Sequence, residues 1–359
     1  MITANKGEWS EIYAFFKLLG DGILYAGDQN LDKINDLFYP IIMILREETE
    51  GSFNYKRNAQ DVSILNSDKE ELLRVPADVF LEEAEKLLRV INSGKGAFAA
   101  PKIEEFMNNI FCYSVKAKPS DKTDIKIVLH DKRTKLNSLM GFSIKSQLGS
   151  DSTLLNAGKT TNFRYRIVGG SFSDSDIDRI NSITGRTKII QRVDAIRNNG
   201  GKLVFDCVDD RAFRNNLLLL DSDLGKILAE LLVLQFRTGM KQLRDLVSCL
   251  TQLNPLNYDN VTSVPYYEYK IKHLLTSTAL GMVPGSPWTG RFDANGGYIV
   301  VKKDGDIVCY HFYDRNRFED YLFNNAYLER PSSSRHEYAS IIKDSDVLYF
   351  KLNCQIRLR

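Results

Sequence analysis

Residues 124–131 read Asp-Ile-Lys-Ile-Val-Leu-His-Asp, an alternating run rich in β-branched side chains, which predicts a strand. A polar stretch, Lys132–Ser138, separates it from a second short strand, Gly141-Phe-Ser-Ile-Lys-Ser146. Two strands so close in sequence predict a hairpin, spanning about residues 120–147. Side chains alternate across a strand, so Phe142 and Ile144 share one side while Ser143, Lys145 and Gln147 share the other. Any fold for this chain must be built around that ribbon.

Helical patterns surround it. In Gly7–Leu19 the residues Ile12, Phe15, Phe16 and Leu19 form one apolar stripe, with Asn5 placed to cap the helix. Leu31–Arg46, Ala77–Ile91 and Lys102–Phe111 also carry apolar residues at three-to-four spacing and are expected as helices. Asn162–Val168, Leu203–Cys207 and Leu348–Leu352 are expected as strands. Arg211–Leu253 is expected to be largely helical, and a short helix is expected around Phe318–Phe323. Tyr298–Val301 and Ile307–Tyr310 flank an Asp-Gly turn, the signature of a hairpin. The expected fold is α/β, a small mixed sheet flanked by helices with a helical and hairpin C-terminal elaboration. The expected division is a core over 1–210 and a C-terminal part, 211–359, that contributes DNA-contacting and dimer elements.

Composition narrows the function. The chain has 359 residues, 43% hydrophobic and 26% charged, enough apolar material for a packed core. A net charge of +2 excludes a globally basic binder but not a local basic face. No apolar run approaches the ~20 residues of a membrane span, and no secretory leader opens the chain. Five scattered cysteines suit reduced thiols in a cytoplasm. There is no Walker loop, no dinucleotide fingerprint and no nucleophile elbow. His130-Asp131-Lys132 begins like a phosphodiesterase motif, but Asn137 stands where its aspartate belongs. Chemistry by carboxylates, lysine and a hard metal ion remains.

Asp124 opens the first strand of the ribbon. If the strands pair, it meets Lys145 at one end of the sheet. A carboxylate holds Mg²⁺ through hard oxygen ligation, and a lysine beside it orients water and offsets developing charge. Taken alone, such a pair is also what an exposed ion pair looks like, worth at most ~1 kcal/mol. A second acid improves the case. Glu11 lies four residues before Phe15, on the apolar side of its helix, where an uncompensated carboxylate is costly. Glu8, three residues after Asn5, fits a capping box instead. The catalytic candidates are therefore Asp124, Lys145 and Glu11, and the metal ligands Asp124, Glu11 and the backbone carbonyl of Ile144. Ser143, Gln147 and Glu8 are supporting candidates.

Between Lys159 and Lys202 nine cations face four acids, an excess of five. Phosphate contacts and guanine readout are expected there, from Lys159, Arg164, Arg166, Arg186 and Arg192, with Arg315 and Arg335 as a second group.

Three blocks resemble a known family. They are Asn5-Lys-Gly-Glu-Trp-Ser-Glu-Ile-Tyr13 running on to Leu19; Gly141–Gly149 with Thr153-Leu-Leu-Asn156 and Thr161-Asn-Phe163; and Trp288-Thr-Gly, Gly296–Val301, Tyr310–Tyr313 and Leu352–Arg357. The chain is similar to type II restriction endonucleases of the HpaII family. That resemblance implies a PD-(D/E)XK nuclease core, Mg²⁺ dependence and double-strand cleavage at a short palindrome, CCGG for the family's namesake. It also implies a homodimer on double-stranded DNA and a partner methyltransferase that protects the host's own sites. Lys145 matches the motif lysine and Asp124 the motif aspartate, while Ser143 stands where such nucleases usually carry a second acid. Lys6-Gly7 followed by Glu11 resembles the first-helix glutamate motif of related junction resolvases. A structure-specific repair or junction nuclease, and a catalytically decayed DNA-binding protein, remain the alternative readings.

Overall fold

The computed structural model describes residues 1–116, 123–132, 134–259, 263–292 and 295–359. Residues 120–122 and 133 of the expected hairpin lie outside the described residues. The protein is mixed α/β, and it divides into two compact units: Met1–Ser152 with Phe292–Tyr321, and Thr153–Arg291 with Leu322–Arg359. The sequence places the division after residue 210 instead. The difference arises because the Gly297–Val301 and Ile307–His311 hairpin returns to the first unit and pairs beside Leu136–Ser146.

The first unit is built on nine strands rather than the small sheet expected. Their order is Ile23–Gly27, Ile307–His311, Gly297–Val301, Leu136–Ser146, Ile125–Asp131, Lys33–Glu48, Gly51–Arg57, Asp61–Leu65 and Glu71–Pro76. Ile23–Gly27 also pairs with Lys33–Glu48, so the first six strands close on themselves into a ring. Closure removes two exposed edges that would otherwise recruit other chains. Gly297–Val301 runs parallel to Leu136–Ser146, and Ile307–His311 runs parallel to Ile23–Gly27. The expected Asp-Gly turn forms, with Gly305 in the left-handed region at φ 85° and Lys302 N donating to Asp306 O at 2.8 Å.

The first helix, Lys6–Asp21, starts from the capping box expected at Asn5 and Glu8. Glu8 N donates to Asn5 Oδ1 at 3.1 Å, and Asn5 N donates to Glu8 Oε2 at 2.7 Å. Its apolar stripe is fully buried: Trp9, Ile12, Phe15, Phe16 and Leu19 pack in one core with Ile44, Ile127, Phe142 and Ile299 of the sheet. At about 1.5–3 kcal/mol for each large side chain removed from water, that stripe is what docks the helix on the sheet. Two more expected helices are present, as Ala77–Ser93 and Pro101–Asn109.

Leu31–Arg46 is not a helix. Lys33–Glu48 is the long strand that joins the ring to the rest of the sheet. Pro40 lies within it, a residue a helix interior would not tolerate. The register shifts between Ile41 and Met43, so the buried positions Tyr39, Ile41 and Ile44 change phase. A bulge thus turned a two-residue spacing into the three-residue spacing of a helical stripe.

In the second unit Lys202–Val208, Asn162–Val168, Val347–Asn353 and Ile341–Asp344 form a four-stranded antiparallel sheet. The expected helical region resolves into Arg211–Leu220, Leu224–Thr238 and Leu243–Leu253. The middle helix is the most buried, because Leu228, Leu231 and Leu232 lie inside. All five cysteines are free thiols. Among the described residues no helix is long and apolar enough to cross a membrane.

Candidate active site

The Ile125–Asp131 strand ends its ladder with Leu136–Ser146 at the pair Ile125 and Phe142. Beyond that pair the chain supplies side chains instead of strand partners. Asp124 N still donates to Phe142 O at 2.9 Å, which fixes its backbone. Asp124 Oδ2 then takes the place of a ladder carbonyl: Ile144 N donates to it at 2.6 Å and Ser143 Oγ at 3.0 Å. Along an extended strand a residue's N–H and C=O point to the same side, so the Ile144 carbonyl shares the side of its amide, toward Asp124.

Alternation does the rest. Phe142 and Ile144 enter the core, and Ser143 and Lys145 take the opposite face. Lys145 Nζ donates to Ser143 Oγ at 3.2 Å. Aspartate, serine and lysine thus form one continuous hydrogen-bonded chain. Tyr298 is opposite Ser143 in the parallel pairing, and Lys145 Nζ lies 4.9 Å from its ring centroid. Burial pushes the Lys145 amine below its ordinary range, and the negative charges of Asp124 and Glu11 oppose that shift.

Glu11 enters from the first helix. One residue before it, Ser10 Oγ shares a hydrogen bond with Ser146 Oγ at 2.7 Å, which pins the helix to the strand beside Lys145. Burial, and next the charge of Asp124, push the Glu11 carboxyl up to about 8; Lys116 and Arg46 pull the other way. Two carboxyl groups that sense each other in a partly desolvated place form a site short of positive charge. Glu8 is held in the capping box and also pairs with Lys116 at 2.6 Å, which holds its carboxyl below the usual range. Gln147 follows the strand, and its backbone N donates to Val301 O at 2.9 Å.

Ser10, Ser146, Tyr298 and Lys116 carry no signal in periodicity or motif spacing. Their roles arise from pairings between distant segments that periodicity does not reveal. Ser10, Ser146 and Tyr298 had one pointer, because they sit in the Asn5–Tyr13, Gly141–Gly149 and Gly296–Val301 blocks.

The basic candidates are mostly engaged within the protein. Arg164 and Arg166 both pair with Asp206, at 2.7 and 3.4 Å. Lys159 pairs with Glu337, and Arg315 pairs with Glu319 at 2.7 Å. Arg192 is buried, and its guanidinium donates to the carbonyls of Ala339, Asn181 and Ile183. Those bonds hold it inside the second unit. Arg186 and Arg335 are exposed.

Among the described residues no three His, Cys, Asp or Glu side chains cluster as a metal centre. Two carboxylates and a backbone carbonyl still suit one hard ion. Mg²⁺ commonly rests on one or two protein carboxylates and takes its remaining oxygens from water and substrate phosphate.

The HpaII restriction endonuclease family model matches residues 5–358. The type II restriction enzyme HpaII of Haemophilus parainfluenzae is 44% identical over 359 residues, covering 99% of this chain and 98% of that enzyme. No solved structure matches. An α/β protein with this likeness along its whole length is a type II restriction endonuclease, a site-specific deoxyribonuclease. The chain belongs to the HpaII restriction endonuclease family.

Proposed function

We propose that the enzyme hydrolyses both strands of DNA at a short, CCGG-like palindrome, using Mg²⁺ at a PD-(D/E)XK centre formed by Asp124, Glu11, the Ile144 carbonyl and Lys145. The observation that carries this reading is the chain from Lys145 Nζ through Ser143 Oγ to Asp124 Oδ2, with Glu11 in the same electrostatic field. Bound there, Mg²⁺ supplies Lewis acidity and positive charge opposite the scissile phosphodiester. The protein's own groups supply position and proton transfer. Asp124 is fixed by two donors to one oxygen, which leaves its second oxygen for ligation. Lys145, shifted toward the neutral amine, orients the attacking water and takes its proton at Nζ as the water oxygen bonds to phosphorus; the bond from phosphorus to the 3′ oxygen breaks, and that oxygen leaves with a proton from solvent, giving a 5′-phosphate end. Ser143 holds that amine on line with the aspartate. It replaces the second acid of related nucleases, and Glu11 supplies the missing charge from the first helix.

A palindrome presents two equal half-sites, which favours a homodimer with two-fold symmetry. An enzyme that cuts its host's own sequence needs a cognate methyltransferase, and it works in the cytoplasm beside that partner. Digestion of a plasmid of known sequence, with the fragment ends mapped, tests the reading. Discrete Mg²⁺-dependent fragments ending at one CCGG-like site are expected. A smear, or cutting only at branched junctions, would replace sequence recognition with structure recognition.

A further inference from the structure

The basic stretch 159–202 looks uniform in sequence but not in structure. Lys159, Arg164, Arg166, Arg179 and Arg197 are each paired with a carboxylate, and Arg192 is bound to backbone carbonyls. Like Lys202 at the end of this stretch, Arg186 and Lys188 have no carboxylate ion pair among the described residues. Both line one cavity of about 180 Å³ in the second unit. Arg330 brings a third cation to it, and Ser332 and Ser333 add hydroxyl groups; no carboxylate is in its lining.

Arg330 is prepared for an anion. Its guanidinium carbon lies 4.8 Å from the centroid of the Phe236 ring, which also lines the cavity, and one terminal nitrogen donates to Gln235 O at 3.0 Å. Its Nε is buried without a hydrogen-bond partner among the described residues. A buried donor without an acceptor is costly, so an acceptor brought beside this guanidinium is favoured. The adjacent carboxylate, Glu329, is directed to Arg357 at 3.8 Å. The first turn of the Lys188–Asn198 helix also faces the cavity through Ile189 and Ile190, with no side-chain cap at Thr187. Its amide dipoles add to the positive potential. Three cations, two hydroxyls and no acid around a small cavity match one tetrahedral dianion or monoanion and little else.

We propose that the Arg186–Lys188–Arg330 cavity seats one backbone phosphate of the DNA duplex, contributing affinity that is blind to sequence. This rests on DNA being the substrate but not on the metal centre. A phosphate contact strengthens binding to all duplexes alike and steepens the fall of log affinity with log salt by about 0.9.

The test is binding of cognate and non-cognate duplexes across a salt series, without divalent metal so that nothing is cut. Wild type is compared with the Arg186→Ala/Lys188→Ala double variant. Affinity for both duplexes should fall by the same factor, about tenfold, and the salt slope should shrink by about 0.9. Inorganic phosphate should compete with wild-type binding more strongly than with the variant's. An unchanged slope, or a loss confined to the cognate duplex, would overturn the proposal. Arg330→Gln gives a second reading, and the double variant decides alone if that substitution unfolds the protein. Loss of cleavage in metal-centre variants with this slope intact would separate the two sites.

Discussion

Ser10 and Ser146 share a hydrogen bond of 2.7 Å between the first helix and the ribbon, each one residue from a group of the proposed centre, Glu11 and Lys145. Ser10 Oγ also donates to Lys6 O at 2.6 Å, within its own helix. The tie therefore fixes where the helix meets the strand. Ser10→Ala should cost about 1 kcal/mol of stability, the net worth of such a bond. A small displacement of a catalytic group is expensive in rate, so single-turnover cleavage should slow on the order of tenfold with duplex binding unchanged. Thermal unfolding and rapid-quench cleavage measure the two effects. A full cleavage rate in the variant would mean that the tie does not position Glu11.

Glu11 gives a pH signature with a definite sign. Its carboxyl titrates near 4.5 when unperturbed and near 8 in the native protein. Between those values the folded state holds a proton that the unfolded chain has released, so metal-free stability from this group declines as pH rises. The decline starts near 4.5 and is complete above 8. Denaturant unfolding from pH 5 to 8.5 should show it, and Glu11→Gln should flatten it. Mg²⁺ should stabilise wild type more at pH 8 than at pH 6, because the ligand must lose its proton. An equal Mg²⁺ effect at both values would remove Glu11 from the ligand set.

Ser143 accepts from Lys145 and donates to Asp124. Ser143→Ala leaves both functional groups present but cuts the connection between them. Partners of this kind typically cost about 10–100-fold in metal affinity or activity when removed. Cleavage rates titrated against Mg²⁺ should fall within that range, with normal folding. A loss as large as removal of Lys145 would place Ser143 at the reacting atoms themselves.

Arg46 and Glu48 form a buried pair at 2.9 Å, with side-chain exposures of 8% and 1%. Arg46 also donates to Ser114 O at 2.6 Å, and Ser114 Oγ donates to Glu48 Oε2 at 2.6 Å. Glu48→Ala leaves a guanidinium buried without its counter-charge and should destabilise by about 3–5 kcal/mol. Replacing both residues with apolar ones of similar volume should recover most of that. Urea unfolding of the single and double variants decides between a specific pair and two independent side chains.

The candidate centre was more legible than its frame. Asp124, Ser143 and Lys145 fall on a local ribbon, and strand alternation is a short-range property. Glu11 was readable because a carboxylate on an apolar helix stripe needs a reason. The ring of six strands was not readable, since its closure depends on pairings between segments as distant as Ala26 and Cys309. The strands Gly51–Arg57, Asp61–Leu65 and Glu71–Pro76 carry many polar residues and lack a sustained apolar alternation. Lys33–Glu48 was misleading because of its bulge. Arg192 shows the limit for charges: nothing local separates an arginine that closes a fold from one that reaches a ligand.

The most direct test of the central claim is single-turnover cleavage by Lys145→Ala and Asp124→Ala, made separately, with gel-shift binding of the same duplex as the control. Both variants should bind specifically and fail to cut. Cleavage at the wild-type rate by Lys145→Ala would contradict the account, because it would place the chemistry elsewhere in the chain.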